Sequence, residues 1–214
     1  SKINTKVTNR LIFPEGQTFY FNGNIRTENI SNLIIEFNGK IIFQNDIDFW
    51  PRYSYEEDSK ERNIDAFIFT NFTDVTFTSN NVKNGYGIID GQGAKWWGYI
   101  RYLRNTNDRP RLFTIFKSEK IIYEKIHLIN SPRWNFYAHD ILDLTIRHAK
   151  VDCRYNEDHD THGVRELAAL NTDGFDVAGK NIHIHDVEIF NDDDTVAIKQ
   201  LNGADIKAQC SENI

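Results

Sequence analysis

The chain has no methionine in its 214 residues, only two cysteines and only four prolines. Methionine is missing even at position 1, so the sequence is expected to start after a processing boundary or to be a piece of a longer protein. Cys153 and Cys210 cannot make a disulfide framework. The plain reading is two small buried residues, and a single bridge stays open if the protein is exported. No run approaches the roughly 20 apolar residues of a membrane span. Ser1-Lys2-Ile3-Asn4 lacks the apolar segment of a secretion signal. Positive charge is in the minority, with 25 Lys and Arg against 31 Asp and Glu and a net charge of -6. That balance opposes broad nucleic-acid binding, which is driven by counterion release onto basic residues. It still allows a local basic groove facing an acidic sugar polymer. A long helical stripe is also missing.

What is present is a series of short β-rich runs divided by Asn, Asp, Gly and Ser. They include Leu33 to Phe37, Lys40 to Phe43, Ala66 to Thr70, Leu112 to Phe116, Ile126 to Ile129, Leu142 to Ile146 and Val196 to Lys199. β-branched and aromatic residues dominate them. Lys95 to Leu103 is the one longer helical or irregular candidate.

Strand–turn–strand units ending in Asn or Asp recur in the second half. Glu119 to Asn130, Ile141 to Asp152 and Lys180 to Asn191 align, and the polar segment Arg154 to Leu170 reads as an insertion before the third. Repeats of this length with tight polar corners predict a parallel β-helix whose coils stack about 4.8 Å apart. An antiparallel sandwich would explain the strands but not the repeated unit.

Two acidic clusters stand where such strands begin. They are Asn171-Thr172-Asp173-Gly174-Phe175-Asp176 and, one coil on, Asn191-Asp192-Asp193-Asp194-Thr195-Val196-Ala197-Ile198-Lys199. Alternation turns Phe175, Val177, Val196 and Ile198 inward, and turns Asp176, Ala197 and Lys199 outward. Asp173 and Asp194 share the inward parity, so each needs a corner to escape, and Gly174 would allow the first bend. Carboxylates gathered from adjacent coils cannot all ionise independently, so one becomes a usable proton donor. Paired carboxylates cut glycosidic bonds. A solvated turn and a calcium site are the competing readings.

These two clusters, with Ile88-Ile89-Asp90-Gly91-Gln92-Gly93-Ala94-Lys95-Trp96-Trp97, Asp108-Arg109-Pro110-Arg111-Leu112-Phe113 and Asn130-Ser131-Pro132-Arg133-Trp134-Asn135-Phe136, resemble the polygalacturonase family, glycoside hydrolase family 28. The likeness runs from about position 85 to the end. It implies one right-handed parallel β-helix over 1–214, incomplete at the C-terminus, with 1–84 holding N-terminal coils and a cap. It implies hydrolysis of α-1,4-galacturonosyl bonds in pectin with inversion, without metal or cofactor. Asp193 would be the general acid, with Asp173 and Asp194 handling the water. On carboxylate separation alone a retaining mechanism would be expected.

Expected substrate-binding residues are Asn171, Asp176, Lys199, Arg133 and, from the inserted loop, His162. The family's downstream Gly-His-Gly and Arg-x-Lys motifs are absent, and with them a recognition element for the substrate carboxylate. The alternative is therefore a non-catalytic or truncated carbohydrate-binding β-helix, or a glycosidase for another polysaccharide. A second chain or a missing segment is expected to cover the open end. Sequons at Asn29 and Asn71 fit a secreted, extracellular protein. Trp96, Trp97 and Trp134 read as core before sugar-stacking, His183 and His185 as outward polar residues, and Arg101 to Arg111 as a solvated loop.

Overall fold

The computed structural model describes residues 9–54, 61–100, 108–154, 169–201 and 210–214. In chain order the strands are β1 (Asn9–Phe13), β2 (Thr18–Phe21), β3 (Ile25–Glu28), β4 (Ser31–Phe37), β5 (Lys40–Phe43), β6 (Arg52–Ser54), β7 (Glu61–Asn63), β8 (Phe67–Thr70) and β9 (Thr73–Thr78). There follow β10 (Gly87–Asp90), the helix α1 (Ala94–Ile100), β11 (Phe113–Glu124), β12 (Ile126–Ile129), β13 (Phe136–Arg147), β14 (Lys150–Asp152), β15 (Phe175–His185), β16 (Glu188–Phe190) and β17 (Val196–Ile198).

A nine-stranded sheet runs β1-β4-β9-β11-β13-β15-β17, with β3 and β8 stacked on the first half of β11. A six-stranded sheet runs β16-β14-β12-β10-β5-β2. The pairings within both are parallel, whereas β6 and β7 form a small antiparallel pair. Parallel stacking of successive strand–turn–strand units rules out the sandwich and makes this a right-handed parallel β-helix.

The register builds apolar columns. Phe67, Phe113, Phe136, Phe175 and Val196 occupy one column. Its Phe113 and Phe136 rings stack at 5.7 Å, and all four phenylalanines are buried. Val196 and Ile198 continue the inward columns as expected, yet they are 40% and 61% exposed, because no described strand stacks beyond β17. The register of both residues is inward as expected, but neither is buried. Trp96 and Trp97 join the core, and Trp97 Nε1 donates to Ser131 O at 3.0 Å.

The corners explain the Asn and Asp spacing. Asn32, Asp74, Lys120, Asp143, Asn181 and Asn213 lie at stacked positions with φ from 54° to 59°. Left-handed backbone costs a residue with a Cβ roughly 1–2 kcal/mol, and Asn and Asp offset it with local hydrogen bonds. Here the bonds run between coils: Asn213 Nδ2 donates to Asn181 Oδ1 at 2.9 Å, and Asn181 Nδ2 to Asp143 Oδ1 at 2.8 Å. The sequon residues Asn29 and Asn71 form another rung, with Asn71 Nδ2 3.1 Å from Asn29 Oδ1.

Two expectations are corrected. Cys153 is buried but Cys210 is exposed, and both are free thiols. The Arg101 to Arg111 run is not simply a solvated loop. Residues 101–107 lie outside the described residues, but Arg109 is 3% exposed and donates to Pro132 O at 2.7 Å and Leu170 O at 2.6 Å. Arg111 pairs with Asp65 at 2.7 Å.

Candidate active site

One corner position organises the site. Asp65, Arg111, Trp134, Asp173 and Asp194 each stand two residues before mutually paired residues, Phe67, Phe113, Phe136, Phe175 and Val196. Backbone bonds confirm the stacking: Ala66 N–H donates to Arg111 O, Leu112 to Trp134 O, Asn135 to Asp173 O and Gly174 to Asp194 O. These five side chains therefore form one column along the edge of the nine-stranded sheet, acidic on its last two coils.

Gly174 sets how closely those last coils approach. A Cβ there would sit 2.4 Å from Thr195 O, inside van der Waals contact. The chain does bend at Gly174, but its φ is not in the left-handed range, so glycine is needed for space rather than for conformational freedom. Asn191 staples the corners by donating to Thr172 O at 3.0 Å and Asp194 O at 2.9 Å.

Asp173, Asp193 and Asp194 each offer an oxygen within 4.8 Å of the others. Asp173 is buried, while Asp193 and Asp194 are exposed. Both oxygens of Asp193 accept backbone N–H groups, from Asn171 at 3.0 Å and Asp194 at 2.9 Å. Burial, then the charge of Asp193, push the Asp173 carboxyl above its usual range.

Asp176 departs from expectation. Its register with Tyr137 and Ala197 puts it on the outward column, as alternation predicts, yet it is fully buried rather than facing solvent. Lys199 lies over it, with Nζ 2.7 Å from Asp176 Oδ1 and 3.7 Å from Asp173 Oδ2. Burial pushes the Asp176 carboxyl up to about 7, against the pull of Lys199. Burial would lower the Lys199 pKa, but Asp176 and Asp173 outweigh it and raise it.

Of the predicted binding residues, Arg133, Asn171, Asp176 and Lys199 come together. Arg133 Nε donates to Asn171 Oδ1 at 3.0 Å, and Asn171 Nδ2 reaches Asp173 Oδ1 at 3.5 Å. His162 lies outside the described residues. Trp134 is half-buried in the groove, not in the core as expected, with Arg133 at 4.5 Å and Lys199 Nζ at 4.6 Å from its ring centroid. Asp65 and Arg111 went unnoticed as groove residues. Their signal was available: each stands two positions before an inward phenylalanine, as Asp173 does.

Fold and site together define a right-handed β-helix whose neighbouring corners present the grouped carboxylates that glycosidic cleavage uses. Comparison then narrows the class. The family model for "Glycosyl hydrolases family 28" matches residues 4–212, and the chain belongs to that family. A probable endo-xylogalacturonan hydrolase A of Aspergillus niger is 27% identical over 191 residues, covering 88% of this chain and 42% of its own length. A probable polygalacturonase of Vitis vinifera is 28% identical over 210 residues, covering 93% of this chain and 38% of its own. The crystal structure of the Aspergillus tubingensis endo-xylogalacturonan hydrolase superposes with a TM-score of 0.70 at 24% identity, over 87% of this chain and 45% of that one. The chain thus spans less than half the length of the curated relatives it matches. Among the described residues no helix is long and apolar enough to cross a membrane.

Proposed function

We propose that the protein containing this chain hydrolyses α-1,4-galacturonosyl linkages of a pectic polysaccharide with inversion, outside the cell and without a metal. The convergence of Asp173, Asp193 and Asp194 from two stacked corners carries this reading, in a chain of a family whose relatives bear pectinase names. Asp193 is the general acid, and Asp173 with Asp194 holds the attacking water. A separation within 4.8 Å alone matches retention, where the two carboxyls sit about 5 Å apart. The third carboxylate favours inversion instead. A retaining site needs one nucleophile beside the acid, and a further charge so close would crowd the glycosyl-enzyme, whereas two carboxylates can share one water.

A bound uronate adds negative charge and excludes water, and both favour the protonated form of a carboxyl in the trio. Lys199 keeps the buried Asp176 in place beside Asp173. A second reading makes Asp173 the acid, because burial and its neighbour already raise its pKa.

The test is release of reducing ends from polygalacturonate by the full-length protein, with the anomer of the first product read by NMR. Asp193→Asn is expected to lower the rate about 10²–10⁴-fold, the range general acid catalysis supplies. Equal rates in wild type and variant would refute the assignment. An aryl glycoside with a good leaving group separates the two acids, since it rescues only the variant that lost the proton donor.

A further inference from the structure

We propose that His183 and His185 form a binding site for a divalent transition ion such as zinc, outside the groove and independent of the reaction proposed above. Alternation sets the pair. Ile182 is buried and Ile184 packs on the core, so His183 and His185 share the outward side of the last part of β15. Their ring centroids lie 4.5 Å apart with the planes at 32°. The Asn181 corner, with φ of 56°, stands between them and Asp176 along the strand. They therefore face a different side of the coil from the carboxylates.

Asp186 prepares one of the two rings. Its Oδ2 lies 2.7 Å from His185 Nδ1. The hydrogen bond with His185 holds the Asp186 carboxyl below its usual range, and the charges of His185 and His148 pull the same way. An ionised carboxylate only accepts, so Nδ1 carries the proton and Nε2 of the neutral ring keeps its lone pair. In that arrangement a carboxylate orients a metal-ligating imidazole and raises its basicity. His183 is exposed and makes no hydrogen bond among the described residues, so its ring can turn toward the same point.

A third imidazole borders the pair. Arg147 pairs with His185 and Lys150 with Glu188, so the left-handed corners His148 and Asp186 stand side by side on adjacent coils. The His148 ring meets that of His185 edge-on, at 6.0 Å and 73°. The nearby cations are committed to carboxylates: Arg147 to Glu124 at 2.7 Å, Lys150 to Glu188 at 3.1 Å and Lys180 to Glu212 at 3.3 Å.

Donor type selects the ion. Imidazole suits zinc, copper and nickel, whereas calcium and magnesium take oxygen. Two nitrogens on one zinc ion lie at most about 4.2 Å apart, given bonds of about 2.1 Å. Rings with centroids at 4.5 Å come within that reach by rotation about χ2. Asp173, Asp193 and Asp194 offer only oxygens, so the two clusters sort ions by hardness. An ion held by two histidines of the folded strand stabilises the fold by mass action.

The test uses the full-length protein, freed of any histidine tag. Calorimetry measures its affinity for zinc chloride, with calcium chloride as the control. Zinc is expected to bind about 100-fold or more tightly than calcium. His183→Gln and His185→Gln should each weaken zinc binding about 100-fold, because the chain then offers one ligand where it had two. Asp186→Ala should weaken it about tenfold. Asp193→Asn should bind zinc like the wild type, and His183→Gln should hydrolyse polygalacturonate like the wild type. Thermal melts without metal show whether each variant is folded. With zinc, the melting temperature should rise for wild type and Asp193→Asn but not for His183→Gln. The electron paramagnetic resonance spectrum of the copper(II)-loaded wild type should carry nitrogen coupling from two imidazoles. Equal zinc affinity in wild type and His183→Gln, calcium bound as tightly as zinc, zinc lost only in Asp193→Asn, or a copper spectrum with oxygen ligands alone would each overturn the site.

Discussion

At the β15–β17 end of the groove, charge is negative and close to the backbone. At the β3–β8 end it is positive and carried on long side chains. Both ends use the same corner position, two residues before an inward column, yet they meet opposite demands. Carboxylates on short side chains reach one another only because the corners themselves touch, through the Gly174 N–H bond to Asp194 O at 2.8 Å. The basic corners are joined by the same kind of backbone bond, but their guanidinium groups reach past them on long side chains, stacking on Tyr137 and Trp134 and pairing with Asp65. The acidic end should therefore be brittle to backbone change, and the basic end tolerant of it.

Gly174→Ala tests that contrast most severely. Its Cβ would force Thr195 O away, and displacement of about 1 Å can cost 100-fold in rate. We expect kcat on polygalacturonate to fall about 100-fold while affinity for an oligogalacturonate changes little. Comparable losses in both would show that the two ends share one constraint.

A smaller effect lies in the pH profiles. A bound uronate places negative charge beside the carboxylate trio and excludes water, so the carboxyl that serves as acid keeps its proton to higher pH in the complex than in the free enzyme. The basic limb of kcat should therefore lie above that of kcat/KM. Coincident limbs would mean that the acid is set by the protein alone.

Asp176 gives a stability test confined to the acidic end. Its folded pKa of about 7 lies above the ordinary carboxylate value of 3.8. Between about pH 4 and 7 the folded state holds a proton that the unfolded state has released, so stability from this group is full below that window and falls as pH rises through it. Asp173 shifts in the same direction. Thermal melts of Asp176→Asn should show a flatter pH dependence across that window, while Arg26→Gln keeps the wild-type slope. The smallest effect expected is from chelation: excess EDTA should leave hydrolysis unchanged, and its loss would make the carboxylate trio a cation site.

Sequence carried much of this. The αL corners were legible as Asn and Asp at unit ends, because few other residues tolerate that backbone. The acidic corners were legible because they lie one coil apart. Alternation placed Asp176 correctly on the outward side but could not show that Lys199, folded back from β17, would bury it. Likewise Arg109 looked like loop charge, since nothing local reveals that Pro132 O and Leu170 O, on later coils, close around it.

The amide ladder at the other corner has a polarity. Asn213 donates to Asn181, and Asn181 donates to Asp143, whose carboxylate has no proton to hand onward. Asp143 is thus a terminus, and the ladder reads in one direction only. At its far end Asn213 presents a carbonyl oxygen, so any coil laid upon it must arrive with a donor at that corner. An asparagine would extend the grammar, and an aspartate would break it. For a designer lengthening this solenoid, one side chain on the last rung already dictates the first letter of the next.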